Sequence, residues 1–249
     1  MCTLVLLRRP GNGWPLILGA NRDEMHDRPW TAPGRHWPDR PEVVAGRDDL
    51  AGGSWLGLND EGVVAAILNR RGTLGPAPGL RSRGELVLDA LDHADARDAA
   101  DALAALDARA FRPFNLVVAD DRDAFWLRAL GPDGPRAPRA TALPDGLSML
   151  TAYDLDDPAD PRARRHRPRF LAAPPPDPAS GDWRSWEALL ASRDGRDEEA
   201  MTIALPSGFG TSSSALIALP DRGIADAPRA VFRFADGHPE SIRWRDITA

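Results

Sequence analysis

The sequence predicts an α+β fold built in layers, as a single domain over residues 1–249. Three observations carry that expectation. Strand-like segments come in blocks separated by helix pairs, so the order is strands, helices, strands, helices, strands rather than a strand–helix alternation. Successive strand segments are joined by short turn signals, which suit hairpins and antiparallel pairing. No linker sets off two independent halves.

The elements follow in order. Residues 3–7 (TLVLL) and 15–20 (PLILGA) are short apolar runs on either side of Pro10-Gly11-Asn12-Gly13, a hairpin signal. Residues 43–46, 54–58 and 63–68 read as further strands. The last two are joined by Asn59-Asp60-Glu61-Gly62, with the glycine at a left-handed position. From Arg83 to about Ala108 the apolar period becomes helical, through Leu86, Leu88, Ala90 and Leu91 and then Leu103 and Leu106. A break near His93–Ala96 divides it into two helices. Strands resume at 114–119 (FNLVVA) and 124–129 (AFWLRA), across the turn at Asp120–Asp123. Residues 131–146 form a Gly/Pro-rich loop and 147–152 are extended. Arg162–Ala172 and Trp183–Ser192 read as helices separated by Pro174-Pro175-Pro176. Strands return at 213–219, 229–234 and 240–245, with Asp236-Gly237 turning the last pair.

Composition narrows the chemistry. Net charge is −6, with acids and arginines interspersed, so no basic stripe marks a nucleic-acid surface. Every basic Lys/Arg position is arginine, which removes Schiff-base and P-loop lysine chemistry. The single cysteine excludes an internal disulfide and any multi-cysteine metal site. Histidines at 26, 36, 93, 166 and 238 show neither HExxH nor paired ligand spacing, and no CxxCH is present for covalent haem. No metal and no cofactor is therefore expected. Thr3–Leu7 is too short for a signal h-region, and no segment approaches the ~20 apolar residues of a membrane span. The expected location is cytoplasmic. Gly208-Phe209-Gly210-Thr211 has the look of a phosphate loop, but a strand, not a helix, follows it, and a tight turn is the better reading.

The hairpin bears on the one thiol. With the turn centred at Gly11–Asn12, antiparallel pairing matches residues whose numbers sum to about 23. Cys2 then falls opposite Asn21, within two residues, beside the cluster Asn21-Arg22-Asp23-Glu24. If Met1 is removed, Cys2 carries a thiol and a free α-amine whose ordinary pKa of ~8 suits a general base. Arg22 is placed to stabilise a thiolate and Asp23 to hold the amine. The plainer readings are a small residue at position 2 and a solvated charged turn. Gly52-Gly53-Ser54-Trp55 allows close backbone approach, with Trp55 either lining a pocket or filling the core. The basic run Arg162, Arg164, Arg165, His166, Arg167 and Arg169 is a solvated helix face or, more sharply, a site for a carboxylate or phosphate.

These residues also carry a resemblance. Met1-Cys2-Thr3-Leu4, Asn21-Arg22-Asp23-Glu24, Arg28-Pro29, Ala45-Gly46-Arg47-Asp48 and Gly52-Gly53-Ser54-Trp55-Leu56-Gly57 resemble the NRDE family, also called the transport and Golgi organisation protein 2 family. Asn69-Arg70, Ser82-Arg83-Gly84, Phe114-Asn115-Leu116 and Gly210-Thr211 continue the match in order. The family is similar to the cysteine N-terminal nucleophile hydrolases, among them bile-salt hydrolases and penicillin V acylases. The resemblance implies a four-layer αββα sandwich and an amidohydrolase acting on a non-peptide amide C–N bond. Cys2 matches the nucleophile, Asp23 the strand-two aspartate and Asn69 the oxyanion donor. Asn21, Trp55, Asn115 and Thr211 are the implied substrate-side residues. The hydrolases' strand-two arginine falls near Ala20, so Arg22 is a shifted substitute, and Ser212 stands where relatives often carry a late arginine. The family is also linked to haem trafficking. The alternative is therefore a non-catalytic carrier of haem or a metabolite, with Cys2, His26 or His36 as axial ligand.

Overall fold

Two antiparallel sheets organise the chain in the computed structural model, which describes residues 2–237 and 243–248. The first compact unit combines the chain up to Arg28 with the stretch from Pro144 onward; the second runs Pro29–Leu143.

In the first unit, strands β1 (Thr3–Arg8), β2 (Leu16–Met25), β10 (Gly146–Leu150), β11 (Phe209–Leu219), β12 (Val231–Asp236) and β13 (Trp244–Ile247) pair in the order β10-β1-β2-β11-β12-β13. Helices α3 (Pro161–Ala172) and α4 (Arg184–Leu190) cover one face of it. The two-residue period of a strand sends Val5, Ile17, Leu216 and Ala218 to that face. There they pack with Phe170, Trp186 and Leu190. Phe170 meets Trp186 edge-on at 5.2 Å. Asp160 caps α3 by accepting from Arg162 N at 2.9 Å, and Pro161 occupies the first turn, where its missing N–H costs nothing.

The second unit holds β3 (Trp30–Gly34), β4 (Val43–Asp48), β5 (Leu56–Asn59), β6 (Val64–Asn69), β7 (Phe114–Ala119), β8 (Ala124–Ala129) and β9 (Arg139–Ala142), paired in sequence order. Helices α1 (Glu85–Leu91) and α2 (Ala96–Ala104) bury Leu86, Val87, Leu91, Ala99 and Leu103 against Val43, Ala65, Leu116, Val118 and Leu127. The break between them falls at the expected place, where Asp95 caps α2 by accepting from Asp98 N at 2.8 Å. Gly62 takes φ +76° in the β5–β6 turn, as the turn chemistry requires. Gly53 allows the close approach anticipated for the glycine pair: a Cβ there would lie 2.5 Å from the Gly84 carbonyl carbon.

Three expectations need correction. β3 and β9 were not anticipated; β9 lies within the segment read as a loop. Both are edge strands, short and without apolar alternation, and β3 contains Pro33, which an edge tolerates. The helix expected to reach Ala108 ends at Ala104 and gives way to a 3₁₀ turn at Ala108–Ala110. Of the expected last hairpin, residues 238–242, including His238, lie outside the described residues. Among the described residues no helix is long and apolar enough to cross a membrane.

His166, on the inner face of α3, is fully buried. Its Nδ1 lies 3.2 Å from Arg169 Nη1. Burial, reinforced by the charges of Arg169, Arg162 and Arg165, pushes its pKa down to about 4. The unfolded chain takes up this proton near pH 6.5, whereas the folded chain resists it until about pH 4. Stability from this group is therefore lost as pH falls through that window, by up to roughly 3 kcal/mol. Thermal melts of wild type and His166→Gln from pH 7 to pH 4.5 should show the wild type losing more. Parallel curves would refute the assignment.

Candidate active site

The β1–β2 ladder pairs Thr3 with Asn21, Leu4 with Ala20 and Arg8 with Leu16, so paired numbers sum to 24. The expected register was one lower. The loop closes with Arg9 N donating to Pro15 O at 2.8 Å and Asn12 N to Arg9 O at 3.0 Å, which centres the turn on Asn12. Continued by one residue, this register sets Cys2 against Arg22 rather than Asn21.

That shift decides which side chains share a face. Thr3, Asn21 and Asp23 point toward the helices. Asn21 Nδ2 donates to Leu190 O and Met201 O, both at 2.9 Å, and its Oδ1 accepts from Ser214 Oγ at 2.7 Å. Asp23 Oδ1 accepts from Thr211 Oγ1 at 2.7 Å. Thr211 Oγ1 also accepts from Ile203 N at 3.1 Å. Arg22 points to the opposite face, where its Nη1 donates to Ser212 Oγ at 3.2 Å. Thr211 and Ser212, adjacent in the strand, serve opposite faces by ordinary alternation. A bulge follows them: β11 pairs Thr211 with Asp23 and Ser213 with Arg22, leaving Ser212 as the extra residue.

Cys2 is half-buried, and its Sγ lies 3.5 Å from the Asp23 carbonyl oxygen. Burial pushes the thiol above its ordinary pKa, and the negative charge of Asp23 pushes the same way; the charge of Arg22 opposes both. Burial and the Asp23 charge thus both favour the protonated thiol, while the amino terminus and Arg22 act the other way.

The residue that sequence reading missed is Arg162. Its Nη1 donates to Asp23 Oδ2 at 2.9 Å and to Thr3 Oγ1 at 2.8 Å. Both members of the Arg162–Asp23 ion pair are fully buried. The basic run is thus not a uniformly solvated face: Arg164 and Arg165 are exposed, whereas Arg162 and His166 are buried. Arg162 does not lie on the solvated face: it pairs with a carboxylate of the chain itself, Asp23. A signal was available, since Arg162, His166 and Phe170 recur every four residues, in phase with the apolar side of the helix.

The other three candidate residues belong to the second unit. Trp55 precedes β5 and stacks edge-on against Trp30 at 5.8 Å; its ring lies where a Cβ on Gly46 would sit, 2.4 Å away. Asn69 ends β6, opposite Phe114. Asn115 is fully buried in β7, and its Oδ1 accepts from Arg70 Nη1 at 2.7 Å and from Trp126 Nε1 at 3.1 Å. Among the described residues no three His, Cys, Asp or Glu side chains are grouped to hold a metal ion.

Residues 1–159 match the family model described as Transport and Golgi organisation 2. The chain belongs to the Transport and Golgi organisation 2 family. This Transport and Golgi organisation 2 chain is 34% identical over 114 residues to the mouse (Mus musculus) Transport and Golgi organization 2 homolog, covering 44% of this chain and 40% of that protein. It is 37% identical over 114 residues to the Bos taurus homolog, with the same coverage. The matched stretch thus spans 40% of the length of these curated relatives. Among solved structures, a Caenorhabditis elegans N-acylethanolamine-hydrolyzing acid amidase ortholog superposes with a TM-score of 0.60 at 14% identity, over 91% of this chain and 95% of that one. Penicillin V acylase from Agrobacterium tumefaciens gives 0.58 at 15% identity, over 99% and 86% of the two chains. A mutant conjugated bile acid hydrolase from Clostridium perfringens gives 0.54 at 10% identity, over 99% and 92%. At these identities the likeness concerns fold: this family member has the αββα sandwich of the N-terminal nucleophile hydrolases, as the resemblance implied.

Proposed function

We propose that this protein is an N-terminal cysteine amidohydrolase that cleaves the C–N bond of a non-peptide amide. The observation that carries the reading is the placement of Cys2. The one thiol of the chain stands at the head of the β1–β2 hairpin, its sulfur 3.5 Å from Asp23 O, on a fold shared with an N-acylethanolamine-hydrolyzing acid amidase, a penicillin V acylase and a conjugated bile acid hydrolase. Removal of Met1 gives Cys2 a free α-amine. The amine takes the thiol proton as the sulfur attacks the amide carbon. Collapse of the tetrahedral intermediate expels the amine product, which leaves with that proton, and forms a thioester. Water then cleaves the thioester, releasing a carboxylic acid and restoring the thiol. Arg22 favours the thiolate and Asp23 orients the amine. Asn69 keeps the oxyanion role implied by the resemblance. Trp55 and Asn115 remain the proposed substrate-side residues. Asn21 and Thr211 act by holding the β2–β11 frame. The chain is taken to work as one domain.

The proposed substrate class, an acyl group joined to a non-peptide amine, draws support from the N-acylethanolamine-hydrolyzing neighbour. The test has two parts. Intact mass of protein from its native host should lack Met1. N-Acylethanolamines, penicillin V and conjugated bile acids should then be screened for an acyl adduct on Cys2 and for amine release. Retained methionine in nearly all molecules would remove the base and defeat the mechanism. Tight stoichiometric haem binding without hydrolysis of any substrate in the panel would replace it with the carrier reading.

A further inference from the structure

Asp23 is a buried carboxylate, so it needs a buried cation. Its sequence neighbour Arg22 is directed to the other face of the sheet, where it hydrogen-bonds Ser212. Arg162 does supply it, from a helix far along the chain, at 2.9 Å with both groups fully buried. The same Nη1 reaches Thr3 Oγ1, the residue after Cys2, so one guanidinium grips both strands at the end that carries the thiol. Arg162 is itself held in place. It stands in the first turn of α3, its N–H bonded to the Asp160 cap, and Asp160 Oδ2 accepts from Thr151 Oγ1 at 2.6 Å. Stability alone does not explain such a pair, since buried ion pairs are often replaced by apolar residues at no cost.

We infer that Arg162 is the positioning residue of the Cys2 site: it fixes the Asp23 carboxylate beside the amino-terminal strand and compensates its negative charge. The inference rests on the reading of Cys2 as a nucleophile. Among the described residues, the charged groups at this end of the sheet include Asp23 and Arg22 from β2 and Arg162 and Asp160 from α3, and the amino terminus also acts on the thiol. Removing the Arg162 charge strips the Asp23 carboxylate of this buried counter-charge, and added net negative charge near a thiol disfavours the thiolate.

The lone cysteine makes the test clean, because thiol alkylation reports on Cys2 alone. The rate of alkylation by iodoacetamide is measured against pH for wild type, Arg162→Leu and Arg162→Lys, each with a thermal melt. The midpoint should rise by on the order of one pH unit in Arg162→Leu and return toward wild type in Arg162→Lys. A lower melting temperature with an unmoved midpoint would show a merely structural role and overturn the inference. If Arg162→Leu does not fold, Asp23→Asn and the double variant Asp23→Asn/Arg162→Leu serve instead. Asp23→Asn should lower the midpoint, and adding Arg162→Leu should raise it again; no change on that addition also overturns the inference. Alkylation needs neither turnover nor Met1 removal. Absence of hydrolysis would therefore sink the amidohydrolase while leaving the Arg162 effect readable. Hydrolysis with an unmoved midpoint would sink only the role of Arg162.

Discussion

Cys2→Ala is expected to lower hydrolysis of an acyl amide by about a million-fold, the scale on which loss of an acyl-enzyme nucleophile acts. The fold should survive. Cys2 precedes the first paired residue of β1, is only half-buried, and its thiol makes a single long contact to Asp23 O. Truncating it should cost under about 1 kcal/mol, within the ordinary range for a peripheral substitution. The measurement is kcat/KM on whichever substrate the panel identifies, with single-turnover acylation followed by intact mass. Wild type should gain the acyl mass and Cys2→Ala should not. A variant that keeps its rate within tenfold of wild type would show that another group, or water acting alone, attacks the amide.

Much of this site was legible in the chain, and the reasons for the misses are physical. Two apolar runs around Pro10–Gly13 predict the hairpin, and the hairpin alone brings Cys2 to residues 21–24. The face was harder to read than the neighbourhood. A strand alternates every residue, so a turn centre displaced by one residue moves Asp23 toward the helices and Arg22 away from them. Nothing local to Asp23 names its cation. The period of α3 marks Arg162 as inward-facing, but its partner lies 139 residues away and follows only from tertiary packing. The bulge at Ser212 is similarly hidden, because the Thr-Ser-Ser-Ser run shows no change in hydropathy where the register slips. Ser212 hydrogen-bonds Arg22, and nothing in that run signals the buried guanidinium that Arg162 brings from a helix.

Asp23→Ala should destabilise the fold by about 3–5 kcal/mol, the cost of stripping one partner from a buried ion pair. The carboxylate accepts from Arg162 Nη1 and Thr211 Oγ1, and all three residues are buried. Alanine removes both acceptors and leaves the guanidinium in a dry site without that counter-charge. Thr211 also loses the acceptor for its hydroxyl proton, while its Oγ1 still accepts from Ile203 N, so the strain should pass into the segment leading to β11. For a chain of this length such a loss corresponds to a fall of about 10 °C in the melting temperature. Asp23→Asn should lose less, because an amide oxygen still accepts one of the two bonds. Asp23→Leu/Arg162→Leu should recover much of the loss, since it buries no lone charge. Urea denaturation of the four proteins measures each value. A loss below about 1 kcal/mol in Asp23→Ala would mean that water reaches Arg162 and screens it, contrary to the burial on which the pairing argument depends.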